Sequence, residues 1–221
     1  LILTLLLIFV FIVYLSTVGI KTEAFNNQIS KEVKKINKKL ELDLDNISII
    51  LDPFNFKLVL KTIGANLKND NKSIKLESVR SNIEIKTFFN KKFSLSELNI
   101  TTRTIEIKNL ISFLRSIEDN PQIYVLEKLV KRGYLIADIS LKFDQKGDLK
   151  EDFIIKGFVK DGEIKFLKKI DLSKINFIFN LKNNEFEFKD IKLSYGINDL
   201  EFPELNLTKQ KNKFLISGKN K

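Results

Sequence analysis

The sequence predicts a mainly β protein with a few helices: an N-terminal transmembrane helix, then a curved antiparallel β-groove with few covering helices. Three observations lead there. Leu1 to Ile20 is an almost uninterrupted apolar run. From Leu40 onward, apolar residues recur at every second position through one turn after another. Between and before those alternating stretches, only three modest segments keep helical spacing. The implied organisation is an anchor over 1–20, an amphipathic helix over 21–40, and a β-groove domain over 41–221, interrupted by helices at about 109–132.

In the first run only Thr4, Ser16 and Thr17 are polar. Each hydroxyl can bond back to a carbonyl one turn earlier in a helix. About 20 helical residues cross the hydrocarbon core, where the backbone must satisfy itself internally. Tyr14 falls toward one end, as an interfacial aromatic does. A cleavable signal peptide is the competing reading, but Gly19 marks a poor cleavage site and the run is long for a signal core. A retained single-pass anchor is therefore expected. The absence of Met and a strand-like ending at Lys213 to Lys221 suggest a fragment of a longer protein.

Composition narrows the chemistry. There is no His and no Cys, which removes thiol catalysis, disulfides, His-based relays and most zinc sites. An enzyme would need a carboxylate pair or a Ser–Lys arrangement, and no convergent candidate stands out, so no catalytic residue, metal or cofactor is expected. The formal charge of +10 invites a nucleic-acid reading. Yet only Arg80, Arg103, Arg115 and Arg132 are arginines, and acids alternate with the lysines along most segments. Phosphate and base recognition leans on the arginine fork, so no nucleic-acid partner is expected. A mildly basic surface facing anionic headgroups fits better.

After the anchor, Phe25, Ile29, Val33, Ile36 and Leu40 share one helix face, with Lys31, Lys34, Lys35, Lys38 and Lys39 on the other. Such a helix either lies on a membrane or packs its stripe on a sheet, and the β region that follows needs a cover. The period then changes to 2. Leu40, Leu42 and Leu44 alternate with Glu41, Asp43 and Asp45, and Ile47 and Ile49 follow in sequence. The three acids share a solvent face with no histidine to complete a site, so a solvated face is the reading. Asp52-Pro53, Asn69-Asp70-Asn71 and Asn90-Lys91-Lys92 are turn signals separating further alternating runs. A phase change at Thr104–Ile105 marks a bulge or a change of layer. The Asn-x-Ser/Thr triplets at Asn46, Asn71, Asn99 and Asn206 are what an Asn-rich chain produces by chance.

Between Asn109 and Gly133, Leu110, Phe113, Leu114 and Ile117 keep helical spacing after an Asn109 cap. A second helix starts at Pro121, capped by Asn120, and ends at Gly133 in a left-handed conformation. Strands then resume with Ile139, Leu141 and Phe143, a turn at Lys146-Gly147, and Ile154, Lys156 and Phe158 in alternation. Asp161-Gly162 reads as a two-residue hairpin turn. Ile175, Phe177, Phe179 and Leu181 line one side of the next strand, Asn183-Asn184 turns it, and Phe186 and Phe188 run back. Ile191 and Leu193 follow out of phase, then Leu205, Leu207, Phe214 and Ile216.

A sheet with one apolar face must cover it with something. Either this sheet closes on itself as a sandwich or barrel, or it curls into a trough filled by ligand. The predicted inner face is rich in Phe and lacks Trp, Met and paired polar groups. Such a lining suits hydrocarbon, at about 0.8 kcal/mol per buried CH₂. The candidate lining residues are Leu42, Leu44, Phe56, Leu58, Ile83, Ile85, Ile100, Ile139, Leu141, Ile175, Phe177, Phe179 and Phe188.

The anchor and basic helix leading into L-E-L-D-L-D-N-I-S-I-I-L-D-P-F resemble the start of AsmA-like proteins of Gram-negative bacteria. So does the later F-I-I-K-G-F-V-K-D-G-E-I from Phe153, with Gly157, Asp161 and Gly162. These belong with the bridge-like, repeating β-groove lipid-transfer proteins. The resemblance implies a bacterial inner-membrane anchor, a β-groove in the periplasm, and phospholipid carried toward the outer membrane, with outer-membrane or periplasmic proteins as further partners. It brings no catalytic residues. The lysines after the anchor would favour a cytoplasmic side by the positive-inside rule. The alternative reading is a membrane-tethered periplasmic binding module, or an assembly factor for outer-membrane proteins, with a dry β core and a working sheet edge.

Overall fold

The computed structural model describes residues 1–23, 26–84, 95–144, 150–166, 170–210 and 213–219. They form one open antiparallel sheet with a few helices, so the chain is mainly β as expected.

Helix α1 (Ile2–Thr17) is apolar on every side, and none of its residues is buried. Ser16 and Thr17 donate their hydroxyls to Ile12 O and Val13 O, each at 2.8 Å. At 16 residues and a rise of about 1.5 Å per residue it is about 24 Å long. The hydrocarbon core is about 30 Å thick. Among the described residues no helix is long and apolar enough to cross a membrane, which corrects the transmembrane expectation for 1–20. The physical reason is Gly19. It turns the chain with φ 73° into strand β1 (Ile20–Thr22). A side chain there would meet Ile49 O at 2.5 Å.

The helix expected over 21–40 is shorter, α2 (Asn26–Ile36), because residues 20–22 pair with a strand instead. Phe25 lies outside the described residues. Strands β2 (Glu41–Asp43) and β3 (Ile47–Asp52) follow. Helix α2 is a lid. Ile29 and Val33 pack on the core, Ser30 Oγ donates to Leu42 O at 3.0 Å, and Asn26 Nδ2 donates to Asp45 O at 2.9 Å.

Strands β4 (Lys57–Ile63), β5 (Asn66–Asn69), β6 (Lys72–Glu84) and β7 (Leu95–Thr102) extend the sheet. Two of the expected turns are present, with Phe56 at φ 49° and Asp70 at φ 51°; the one at residues 90–92 lies outside the described residues. The phase change at Thr104–Ile105 is a break between β7 and the short β8 (Ile105–Glu106).

Helix α3 (Ile107–Ile117) starts two residues before the expected Asn109 cap. Asn109 instead donates to Glu106 Oε2 at 3.0 Å. Helix α4 (Pro121–Leu129) begins as read, with Asn120 Oδ1 accepting from Gln122 N–H at 2.8 Å. Its end is not at Gly133, because strand β9 (Val130–Lys142) has already begun. Gly133 is a strand residue (φ 137°) whose missing side chain lets Gly162 and Ile107 approach. Around α2 and α3 lies the closed core: Leu42, Ala65, Ile74, Leu76, Val79, Ile105 and Phe113. A smaller cluster of Ile47, Leu60 and Ile83 adjoins it. Asn69 Nδ2 donates to Ser116 Oγ at 2.8 Å and Lys72 Nζ to Ser112 O at 2.9 Å, pinning α3 in place.

Beyond β9 run β10 (Ile154–Phe166), β11 (Ile170–Lys182), β12 (Glu185–Tyr195), β13 (Asn198–Gln210) and β14 (Lys213–Lys219). Each pairs antiparallel with the next, and among the described residues β14 is the last strand of the sheet. The turn read at Lys146-Gly147 lies outside the described residues. Asp161-Gly162 is not a hairpin: β10 runs straight through it as a bulge, with a register shift between Val159 and Gly162. Both features need a left-handed residue, and Asp161 supplies it at φ 52°. Lys174 (φ 49°) and Asp190 (φ 51°) repeat that conformation on the next two strands. Asn176 ties the first two bulges together, accepting from Asp161 N–H at 3.0 Å and donating to Lys174 O at 2.6 Å. Bulges bend strands and increase their twist. Here they fall at one level across adjacent strands.

Candidate functional site

The pairing register alone defines an amphipathic sheet. One row perpendicular to the strands runs Val79, Ile100, Ile139, Ile155, Leu181, Phe186, Leu207 and Ile216. All are apolar. The row one residue away, on the other face, runs Ser78, Thr101, Asp138, Lys156, Asn180, Glu187, Asn206 and Ser217. All are polar. At about 4.8 Å between strands, each row is about 34 Å long. Side chains alternate faces along every strand, so a register kept over so many strands holds the faces apart.

The two ends of the apolar face differ. Toward β6 it lies under α2 and α3 in the closed core. The described helices reach as far as β9 and β10. Over β11 to β14 Ile175 and Phe179 are buried, most of the other apolar residues of this face are half-buried, and the face ends in the exposed Phe214 and Ile216. A second row there runs Ala137, Gly157, Phe179, Phe188 and Leu205. Phe177 packs edge-on to Phe188 with centroids 5.7 Å apart, and to Phe179 at 6.3 Å. The open aromatic patch is thus Phe177, Phe179, Phe186 and Phe188, edged by Leu181, Leu205 and Leu207.

The expected lining residues therefore divide. Ile175, Phe177, Phe179 and Phe188 come together on or beside this patch, and Ile139 and Leu141 lie half-buried on β9. Leu58 is half-buried on β4 beside Ile83. Leu42 and Ile83 are corrected: Leu42 lies inside the closed core and Ile83, at 0% exposure, in the cluster that adjoins it. Leu44 and Ile100 pack against that core from its edge. The sequence reading misplaced them because a lid helix does not announce which strands it covers. Phe56 is also corrected. It is 75% exposed in the β3–β4 turn. Ile85 lies outside the described residues.

The sequence reading also took the wrong phase in β10. It followed Ile154 and Phe158, but Ile155, Gly157 and Val159 carry the apolar face, opposite Leu181, Phe179 and Phe177. The missed signal was Gly157, which leaves an apparent gap in the apolar alternation. A side chain there would collide with Ile136 O, Ala137 Cα and Ile136 C.

The polar face is laced with exposed pairs. Lys189 Nζ lies 2.6 Å from Glu187 Oε1, and Lys192 Nζ lies 3.3 Å from Glu201 Oε1. The Lys189 ammonium and the Asn180 amide hold the Glu187 carboxyl below its ordinary range. Asp152, 2.7 Å from Lys142 Nζ, is lowered by that lysine, whose own value is raised in return. Each pair is exposed and contributes little to stability. Among the described residues, no group of three or more His, Cys, Asp and Glu side chains is arranged to hold a metal ion. The surface can desolvate hydrocarbon on one side and stay wetted on the other. No protein-family model, curated protein or solved structure matches this chain.

Proposed function

We propose that the protein is a membrane-attached lipid-binding protein that holds phospholipid acyl chains on the apolar face of strands β10–β14. The observation that carries this is an aromatic patch at the end of a continuous apolar row, with Phe177, Phe186 and Phe188 half-buried around a buried Phe179, on a sheet whose opposite row is wholly polar. Exposed contiguous apolar surface on a folded protein marks a binding site. The part of the row on β10–β14, from Ile155 to Ile216, is about 19 Å long, more than the roughly 15 Å of hydrocarbon in one leaflet. An acyl chain can lie along it and gain about 0.8 kcal/mol per CH₂ desolvated. The aligned bulges at Asp161, Lys174 and Asp190 favour a curved, trough-like sheet.

Attachment rests on α1. A helix apolar on every side, with none of its residues buried, suits a bilayer as its environment. We propose that α1 enters a bilayer, whether or not it crosses. The resemblance to AsmA-like proteins extends this reading to lipid transfer from a bacterial inner membrane through the periplasm. The experiment is mass spectrometry of the purified full chain after detergent exchange. Phospholipid at near-stoichiometric ratio supports the reading, and lipid-free protein that keeps its fold contradicts it.

A second reading is favoured by one observation. Among the described residues no strand pairs with the outer edge of β14, and its Phe214, Leu215 and Ile216 are all exposed. An edge of that kind accepts a strand from another protein. A tethered binding module or assembly factor would use it without carrying lipid.

A further inference from the structure

We propose that the tip of the β3–β4 hairpin, Phe54 and Phe56, inserts into the same bilayer that α1 enters. It is then a second membrane contact that sets how the sheet stands on the surface. This rests on the membrane attachment proposed above and adds a site to it.

Phe54 is 93% exposed and Phe56 is 75% exposed, on a turn where, among the described residues, no apolar neighbour covers them. Large aromatics at a loop tip lose favourable burial in water and regain it in lipid. Phe56 also sits at φ 49°. That conformation suits Asn or Gly and is an outlier for a bulky aromatic. Asp52 makes the turn rigid: its Oδ1 accepts from Asn55 N–H at 3.1 Å and its Oδ2 from Asn55 Nδ2 at 2.8 Å. The two rings are thus presented on a fixed support.

Topology puts this tip beside α1. Strand β1 pairs Ile20 with Ile49 and Thr22 with Ile47. The chain therefore enters β1 from the side of Ile50, Leu51 and Asp52, which is the hairpin-tip end of the sheet. Gly19 lies against Ile49 O. From Ile49 to Phe54 is about 17 Å of extended strand at most, so rings and helix are within reach of one bilayer surface. Lys57 pairs with Asp52 across the base of the hairpin and offsets its charge, and the exposed Lys21 and Lys61 lie farther from the tip, on either side of Ser48. At the opposite end of the sheet, the β12–β13 turn carries Ile197, 99% exposed, which provides an internal control.

The chain has no Trp, so one substitution installs a single fluorophore. Phe54→Trp and Ile197→Trp proteins are mixed with vesicles of phosphatidylcholine and phosphatidylglycerol, with and without brominated acyl chains, and co-sedimentation is measured in parallel. The expected result is a blue-shifted emission, quenched by brominated lipid, for Phe54→Trp only. In addition, Phe54→Ser with Phe56→Ser should lower vesicle partitioning about tenfold or more. If both proteins co-sediment and Phe54→Trp keeps an aqueous, unquenched emission, the hairpin proposal is overturned while attachment through α1 stands. If neither co-sediments, the attachment reading itself fails and the hairpin proposal goes with it. Equal quenching of both probes also overturns it, since the contact would not be confined to one end.

Discussion

Phe179 stands opposite Gly157 across β11 and β10, with Ala137 next in the same row and Phe188 on the far side. Large residues on one side and small ones on the other make a step in the apolar face. The ring spreads over backbone that no side chain occupies, and at 7% exposure Phe179 is the best protected of the four patch aromatics. The prediction is that Gly157→Ala destabilises the protein by about 1–3 kcal/mol, because its Cβ would press on Ile136 O and Ala137 Cα. A shift in urea midpoint with an unchanged slope checks it.

Phe177 and Phe113 make a contrasting pair. Phe113, on the buried face of α3 and 2% exposed, belongs to the closed core; Phe113→Ala should cost about 3–5 kcal/mol. Phe177 is half-buried on the open patch. Phe177→Asp should remove bound lipid while leaving the far-ultraviolet circular dichroism and most of the stability in place. Wholesale unfolding of Phe177→Asp would mean that the patch is part of a closed core.

Lys174 pays a local conformational penalty at φ 49° for the bulge that it forms. Lys174→Gly relieves it and should raise stability by up to about 1 kcal/mol. The same substitution at the neighbouring Ser173, which has no positive φ, should lower it. Paired thermal melts decide between the two.

The shifted groups also fix the response to pH. Asp52, Asp152 and Glu187 are lowered, so what they contribute is present above their ordinary values and is lost as pH falls through the lowered ones. Lys68, Lys142, Lys165 and Lys189 are raised, so theirs is present below 10.5 and lost as pH rises through the raised values. With no His in the chain, melting temperature should be nearly flat between about pH 6 and 9 and fall on acidification. A midpoint that climbs or drops across neutrality would contradict this.

Much of the architecture was legible from residue order because strand alternation is a local property. The Asn120-Pro121 start, the Asn183-Asn184 turn and the Phe177, Phe179, Leu181 face all follow from neighbours in sequence. What was not legible depended on distant partners. Asp161-Gly162 has the chemistry of a hairpin and becomes a bulge only because Asn176, on another strand, binds Asp161 N–H. Leu42 and Ile83 alternate as open-face residues do, and only the docking of α2 and α3 closes them in. Length misled at the other end: the apolar run over 1–20 supports a helix of 16 residues, because Gly19 turns the chain and Ile20 is taken by the sheet.

The central claim is that acyl chains lie on the open face of β10–β14. The most direct measurement is photo-crosslinking of the purified chain with a phospholipid carrying a diazirine in its acyl tail, followed by peptide mapping. Crosslinks at Phe177, Phe179, Phe188, Leu205 or Leu207, lost in Phe177→Asp, are the predicted result. Crosslinks confined to α1, with those strands unlabelled, would contradict the account.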